Sequence, residues 1–141
     1  SITAKNVAFT GTTYNSVSIN VEETATFNGG TYNNEVVVIG SENDAEAVIN
    51  GGVFNHNFKS SVDTTIKGGS LPYVDADING VADYMLIMNA GKTLTVEKAD
   101  SAFGPLFATS GADCKLVYDT QDIKDFYSGL EGSNWSNISV K

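Results

Sequence analysis

Short runs of alternating apolar and polar residues recur along most of the chain. In Val17-Ser18-Ile19-Asn20-Val21, Ala47-Val48-Ile49 and Leu94-Thr95-Val96, every second side chain faces the same way on an extended backbone. Turn residues separate these runs, and one turn repeats. Phe27-Asn28-Gly29-Gly30-Thr31-Tyr32, Ile49-Asn50-Gly51-Gly52-Val53-Phe54 and Ile66-Lys67-Gly68-Gly69-Ser70-Leu71 each read apolar, polar, Gly-Gly, any residue, apolar. Phe9-Thr10-Gly11-Thr12-Thr13-Tyr14 is a weaker copy. The leading positions 9, 27, 49 and 66 are separated by 18, 22 and 17 residues. Leu94-Thr95-Val96 and Leu116-Val117-Tyr118 keep a similar place without the glycines, 22 residues apart.

A period near 20 with short strands between turns is what one coil of a β-solenoid requires. Such a coil bends sharply between two strands, and the residue at the bend needs positive φ or no Cβ. Gly29, Gly30, Gly51, Gly52, Gly68 and Gly69 are the expected structural turn residues. Stacking places each pair about 4.8 Å above the last, with the preceding Asn residues forming a ladder of amides. The pattern predicts an all-β fold, a short parallel β-helix of about six coils and a rod roughly 25–30 Å long. A β-sandwich with Gly-Gly turns is the competing arrangement; three copies of one motif favour the solenoid.

These segments resemble the coils of right-handed parallel β-helix proteins, and in particular the I-x-G-G-x-F repeats of bacterial and phage surface proteins. The resemblance covers residues 4–118. It implies an architecture and carries no activity by itself.

After Tyr118 the pattern changes. Apolar residues at 123, 126, 127 and 130 have the spacing of one helical face, Thr120 suits an N-cap, and Gly129 or Gly132 suits the close. Trp135 and a short Ile138-Ser139-Val140 strand follow. The chain is therefore expected to be one domain, with a solenoid over 1–119 and a C-terminal helix and strand cap over 120–141, covering an end that would otherwise expose strand edges. Only residues 1–5 precede the first coil, so the other end is expected to be buried by a partner, another copy or a short strand.

Composition narrows the function classes. Fourteen Asn, fourteen Gly, thirteen Thr and thirteen Ser favour turns and strands over helices. Seventeen acidic residues against eight basic ones, all lysine, give a net charge of −9. That charge disfavours nucleic acid and anionic membrane surfaces as partners. No apolar run approaches the eighteen or so residues needed to span a bilayer. The lone Cys114 cannot form an internal disulfide and reads as a small buried hydrophobe. His56, the one histidine, reads as an exposed loop residue with nothing coupling it to Cys114.

One segment has metal chemistry. Asp75-Ala76-Asp77-Ile78-Asn79-Gly80-Val81-Ala82-Asp83 reads D-x-D-x-N-G-x-x-D, similar to calcium loops of the EF-hand and integrin-propeller kinds. Carboxylates at alternate positions converge on a hard cation when glycine permits a sharp turn. The resemblance implies Asp75, Asp77, Asn79 and Asp83 as side-chain ligands, the Val81 carbonyl as another, and one structural calcium as cofactor. The twelfth position is Leu86, so the bidentate glutamate of an EF-hand is absent and the propeller version fits better. An ordinary Asn79-Gly80 surface turn, with no cofactor at all, is the alternative.

Three functions follow as expectations. The β-helix fold hosts polysaccharide-degrading enzymes, but its lyases resemble one another in pairing a calcium cluster with a basic residue, commonly arginine, which this chain lacks. Hydrolysis needs two carboxylates roughly 5–10 Å apart, and spacing singles out neither Asp63 nor the Asp75 and Asp77 pair. No catalytic residue is assigned, and the chain is expected not to be an enzyme. A carbohydrate-binding or adhesin module of a bacterial surface protein would use aromatics near the coil corners, Tyr14, Tyr32, Phe54, Phe58 and Tyr73, with Tyr32 and Phe54 also fitting the core. The expectation placed first is a structural component of a phage virion, a head decoration or fibre protein that docks on a protein assembly or on itself, with a trimer implied by the resemblance. Ser1 permits removal of an initiator methionine, which fits a virion protein made without a leader and equally fits a trimmed chain. The expected location is the virion, with the extracellular space or bacterial cell surface as the alternative.

Overall fold

The computed structural model describes residues 2–70, 85–99 and 106–141. Among the described residues, fourteen strands and one helix follow one another. They are β1 (Ile2–Phe9), β2 (Thr13–Tyr14), β3 (Val17–Phe27), β4 (Thr31–Tyr32), β5 (Val36–Gly40), β6 (Glu46–Ile49), β7 (Val53–Phe54), β8 (Phe58–Ser60) and β9 (Asp63–Ile66). Then come β10 (Met85–Met88), β11 (Thr93–Val96), β12 (Leu106–Thr109), β13 (Lys115–Tyr118), α1 (Gln121–Phe126) and β14 (Asn137–Val140). Among the described residues all the strand pairings are parallel, and the chain winds as a β-solenoid of about five turns.

The windings stack in register. On one face the first halves of β1 and β3 are followed by β5, β8, β10 and β12. On a second face the later halves of β1 and β3 are followed by β6, β9, β11, β13 and β14. The short β2, β4 and β7 form a third face, which a bridge from Val53 extends to Ser70. The leading residues of the repeat, Phe9, Phe27, Ile49, Ile66, Val96 and Tyr118, fall into a single column. About six coils are expected and about five turns are observed.

Alternation decides what lies inside. β3 is buried at Val17, Ile19 and Val21, then loses phase at Glu22 and Glu23, and recovers at Ala25 and Phe27. Two polar residues in succession make the corner between the first two faces, and Lys5 of β1 sits beside them at an irregularity in the β1–β3 register. Inside, Val17, Val36, Phe58, Leu86 and Phe107 stack in one column, and Phe27, Ile49, Ile66, Val96 and Tyr118 in another. All of these are buried. Burying each such side chain stabilises the fold by about 1.5–3 kcal/mol. Two interior polar residues are satisfied locally: the Ser60 and Thr64 hydroxyls are 2.8 Å apart, and each lies 3.0 Å from the Val62 carbonyl oxygen.

The Gly-Gly corner works through both of its members. Gly30, Gly52 and Gly69 have φ of 99°, 100° and 86°, a left-handed backbone that side chains disfavour. A Cβ at Gly51 would come within 2.5 Å of the Asn28 carbonyl oxygen one turn below, and one at Gly68 would strike that of Asn50. The expected amide ladder is present where both rungs are asparagine: Asn50 Nδ2 donates to Asn28 Oδ1 at 3.0 Å.

At one end the structure departs from the expected layout. Residues 2–5 are not a lead before the first coil but belong to β1, which pairs along β3. At the other end α1 forms where expected, with Thr120 Oγ1 accepting from the Ile123 amide at 3.3 Å and Gly129 left-handed at φ 88°. Tyr127, fully buried just after the helix, lies over Tyr118 and Phe107 with ring centroids 6.1 and 4.8 Å away. β14 then pairs with β13 in register, Ile138 on Leu116 and Val140 on Tyr118, adding a further rung to the second face.

Candidate functional site: a cleft beside Trp135

Between the first two faces, β8 and β9 are joined by only Ser61 and Val62, whereas β10 and β11 are joined by 89–92 and β12 and β13 by 110–114. The loop 132–136 lies over the last of these, with the Ser136 amide and hydroxyl both donating to the Cys114 carbonyl at 2.9 Å. These wider loops border an open cleft of about 510 Å³, lined by residues 109–113, Asn134 and Trp135.

The walls are held by close packing and hydrogen bonds. A Cβ at Gly111 would lie 2.7 Å from that of Ala90, so glycine lets the 110–114 loop settle on the loop below. Asn89 links the corners, donating to the Ser61 hydroxyl and accepting from the Ser110 hydroxyl. Trp135 is half-buried against the core, and its indole Nε1 donates to the Phe107 carbonyl at 3.4 Å. That carbonyl also accepts from the Gly132 amide at 2.6 Å. Asp113 and Asn134, both exposed, have left-handed φ of 63° and 74°, and among the described residues they are the non-glycine residues in that region. Asp and Asn tolerate this conformation better than other side chains. The cleft thus presents an indole, two hydroxyls, a carboxylate and a carboxamide.

Glu131, at the start of the same loop, has its carboxyl pushed up by burial, an effect opposed by Lys124 and the Tyr118 hydroxyl. Tyr118 Oη is buried without a hydrogen bond of good geometry. Burial first, then the Glu131 charge, push that phenol well above its usual range.

The residues singled out from the sequence are placed as follows. Tyr14, Tyr32 and Phe54 form no outward platform: their rings stack face to face inside the third face at 5.0 and 4.6 Å. Phe58, named with them among the corner aromatics, is a core residue on the Val36 column, and Tyr32, Phe54 and Phe58 are each 1 % exposed. His56 is half-buried rather than exposed, and its Nδ1 accepts from the Asn57 amide at 2.8 Å within the tight turn between β7 and β8. Cys114 is buried, with Sγ 3.1 Å from the Asn89 carbonyl oxygen. Asp63 Oδ1 accepts from the Thr93 amide at 2.9 Å, a structural use of that carboxylate. Asp75, Asp77, Asn79, Val81 and Asp83 lie outside the described residues, as does Tyr73. Among the described residues no helix is long and apolar enough to cross a membrane.

Periodicity along the chain gives no sign of the cleft. Its one local signal is a large aromatic in an otherwise polar turn, Gly132-Ser133-Asn134-Trp135-Ser136-Asn137. The fold places the chain in the class of parallel β-solenoid proteins. No protein-family model matches it, and no curated protein or solved structure matches it.

Proposed function

We propose that this chain is a non-enzymatic structural module of a surface assembly, in first place a head decoration or fibre component of a phage virion. The observation that carries the reading is where the repeat residues go. The glycines make the corners, Asn28 and Asn50 bond to each other, and Tyr14, Tyr32 and Phe54 stack inside. The Gly-Gly motif therefore builds shape: its own residues go into the corners, the amide ladder and the interior stack. A rigid acidic rod of this kind serves as a spacer or docking part, on a virion or, in the alternative, on a bacterial cell surface. A structural calcium at Asp75, Asp77, Asn79, Asp83 and the Val81 carbonyl belongs to the same proposal; oxygen donors at that spacing suit a hard cation.

Light scattering and thermal melts on the purified chain, with and without a calcium chelator, test both parts. The proposal expects a homo-oligomer, a trimer near three times the 14.9 kDa chain mass. It expects chelation to lower the melting temperature. A monomer at every concentration contradicts self-assembly, and a melting curve indifferent to calcium removes the ion.

A further inference from the structure

We propose that the cleft beside Trp135 binds one neutral pyranose unit of a glycan. This goes beyond the structural reading and does not depend on it, since a rod can stand with or without a ligand at this corner. A half-buried indole offers a flat apolar surface, and its hydrogen bond to the Phe107 carbonyl fixes its orientation. Around it stand the Thr109 and Ser110 hydroxyls, the Asp113 carboxylate and the Asn134 carboxamide. Ser110 donates its proton to Asn89, which leaves its oxygen lone pairs as acceptors. A ligand matching this set has one apolar face and several hydroxyl groups that both donate and accept. A pyranose ring has that form, with axial C–H groups on one face and hydroxyls around its rim.

Charge selects against the other ligands of similar size. Among the described residues that line the cleft there is no lysine and Asp113 is the charged one, and the chain carries −9. Phosphates, sulfates and acidic sugars are therefore repelled. A volume of about 510 Å³ lies within the usual range of small-molecule sites, roughly 300–1,000 Å³. The backbone gives the second line of support. Asp113 and Asn134 approach the cleft from separate loops, each at positive φ, so both polar side chains are delivered by conformations that cost stability relative to glycine.

The chain has a single tryptophan, so its fluorescence reports on this cleft alone. The probes are neutral methyl pyranosides of glucose, galactose and mannose, together with N-acetylglucosamine, titrated into the full chain. The proposal expects saturable change in emission with at least one of them. Asp113→Gly and Asn134→Gly are each expected to weaken that binding at least tenfold while leaving the melting temperature unchanged or raised, because glycine accepts the left-handed backbone. No saturation by any probe at up to roughly 0.1 M, about a hundredfold above a millimolar dissociation constant, overturns the proposal. Binding undiminished in both variants also overturns it. So does saturation by tetramethylammonium in place of every sugar, which would make the indole and Asp113 a cation site.

Discussion

The corner of each coil is decided by two neighbouring glycines with different duties. Gly52 needs its positive φ, whereas Gly51 needs the absence of a Cβ that would meet the Asn28 carbonyl. Gly52→Val or Gly69→Val is expected to cost well over about 1 kcal/mol and to lower the melting temperature by several degrees. Gly11, in the weaker copy, has nothing within 4 Å of an added Cβ, so Gly11→Ala should change stability by less than about 0.5 kcal/mol. Thermal melts of these variants side by side check the corner assignment, and equal losses at 11 and 52 would contradict it. Glu131 supplies a second prediction at this scale. Its folded carboxyl holds a proton more tightly than the unfolded one, because burial disfavours the charge. Its contribution to stability is complete below the ordinary glutamate range and is lost as pH rises through the raised value. Glu131→Gln should therefore melt higher than the parent at neutral pH, with the gap closing towards about pH 4, the ordinary glutamate range. Melts across that range check this, and a variant less stable than the parent at neutral pH would contradict it.

Strands and turns show how far local pattern carries. Alternation and a recurring Gly-Gly pair make the winding readable: Phe9, Phe27, Ile49 and Ile66 do stack, and so do Val96 and Tyr118, where the glycines are missing. The first strand is hard to read because Ile2-Thr3-Ala4-Lys5-Asn6 has little hydrophobic contrast, and its partner lies across the coil in β3 rather than nearby in sequence. The cleft is hidden for a related reason. Trp135 meets residues 109–113 only because two corner loops are stacked, a contact that local periodicity cannot express. Phe58 falls outside the Gly-Gly motif because that motif spans the corner between the second and third faces, whereas Phe58 belongs to the first face with its own inward column. The aromatic stack gives the prediction proper to this scale. Phe54 lies against Tyr32 and meets Phe27 and Phe58 edge-on, whereas Tyr14 at the end of the stack is only partly buried. Phe54→Ala is expected to cost about 3–5 kcal/mol and Tyr14→Ala clearly less. Denaturant titration checks the order, and equal losses would contradict the stacking.

At the scale of the whole molecule, parallel stacking implies a constant rise per turn. The outward column of the second face makes that rise measurable. Ala8, Thr26, Val48, Thr65, Thr95, Val117 and Ser139 succeed one another there, one residue per rung. None is charged, and each except Ala8 is half-buried between its neighbours, so a label at one reports the position of its rung. The same column would be broken up in any sandwich arrangement of these strands. The decisive measurement is the distance by pulsed electron resonance from a spin label at residue 8 to a second label at residue 95, 117 or 139, in a Cys114→Ala background. With strands about 4.8 Å apart, the three pairs should give roughly 19, 24 and 29 Å, rising by one strand spacing from each pair to the next. Distances that do not increase in that order, or that change by anything other than about one strand spacing per turn, would contradict the solenoid.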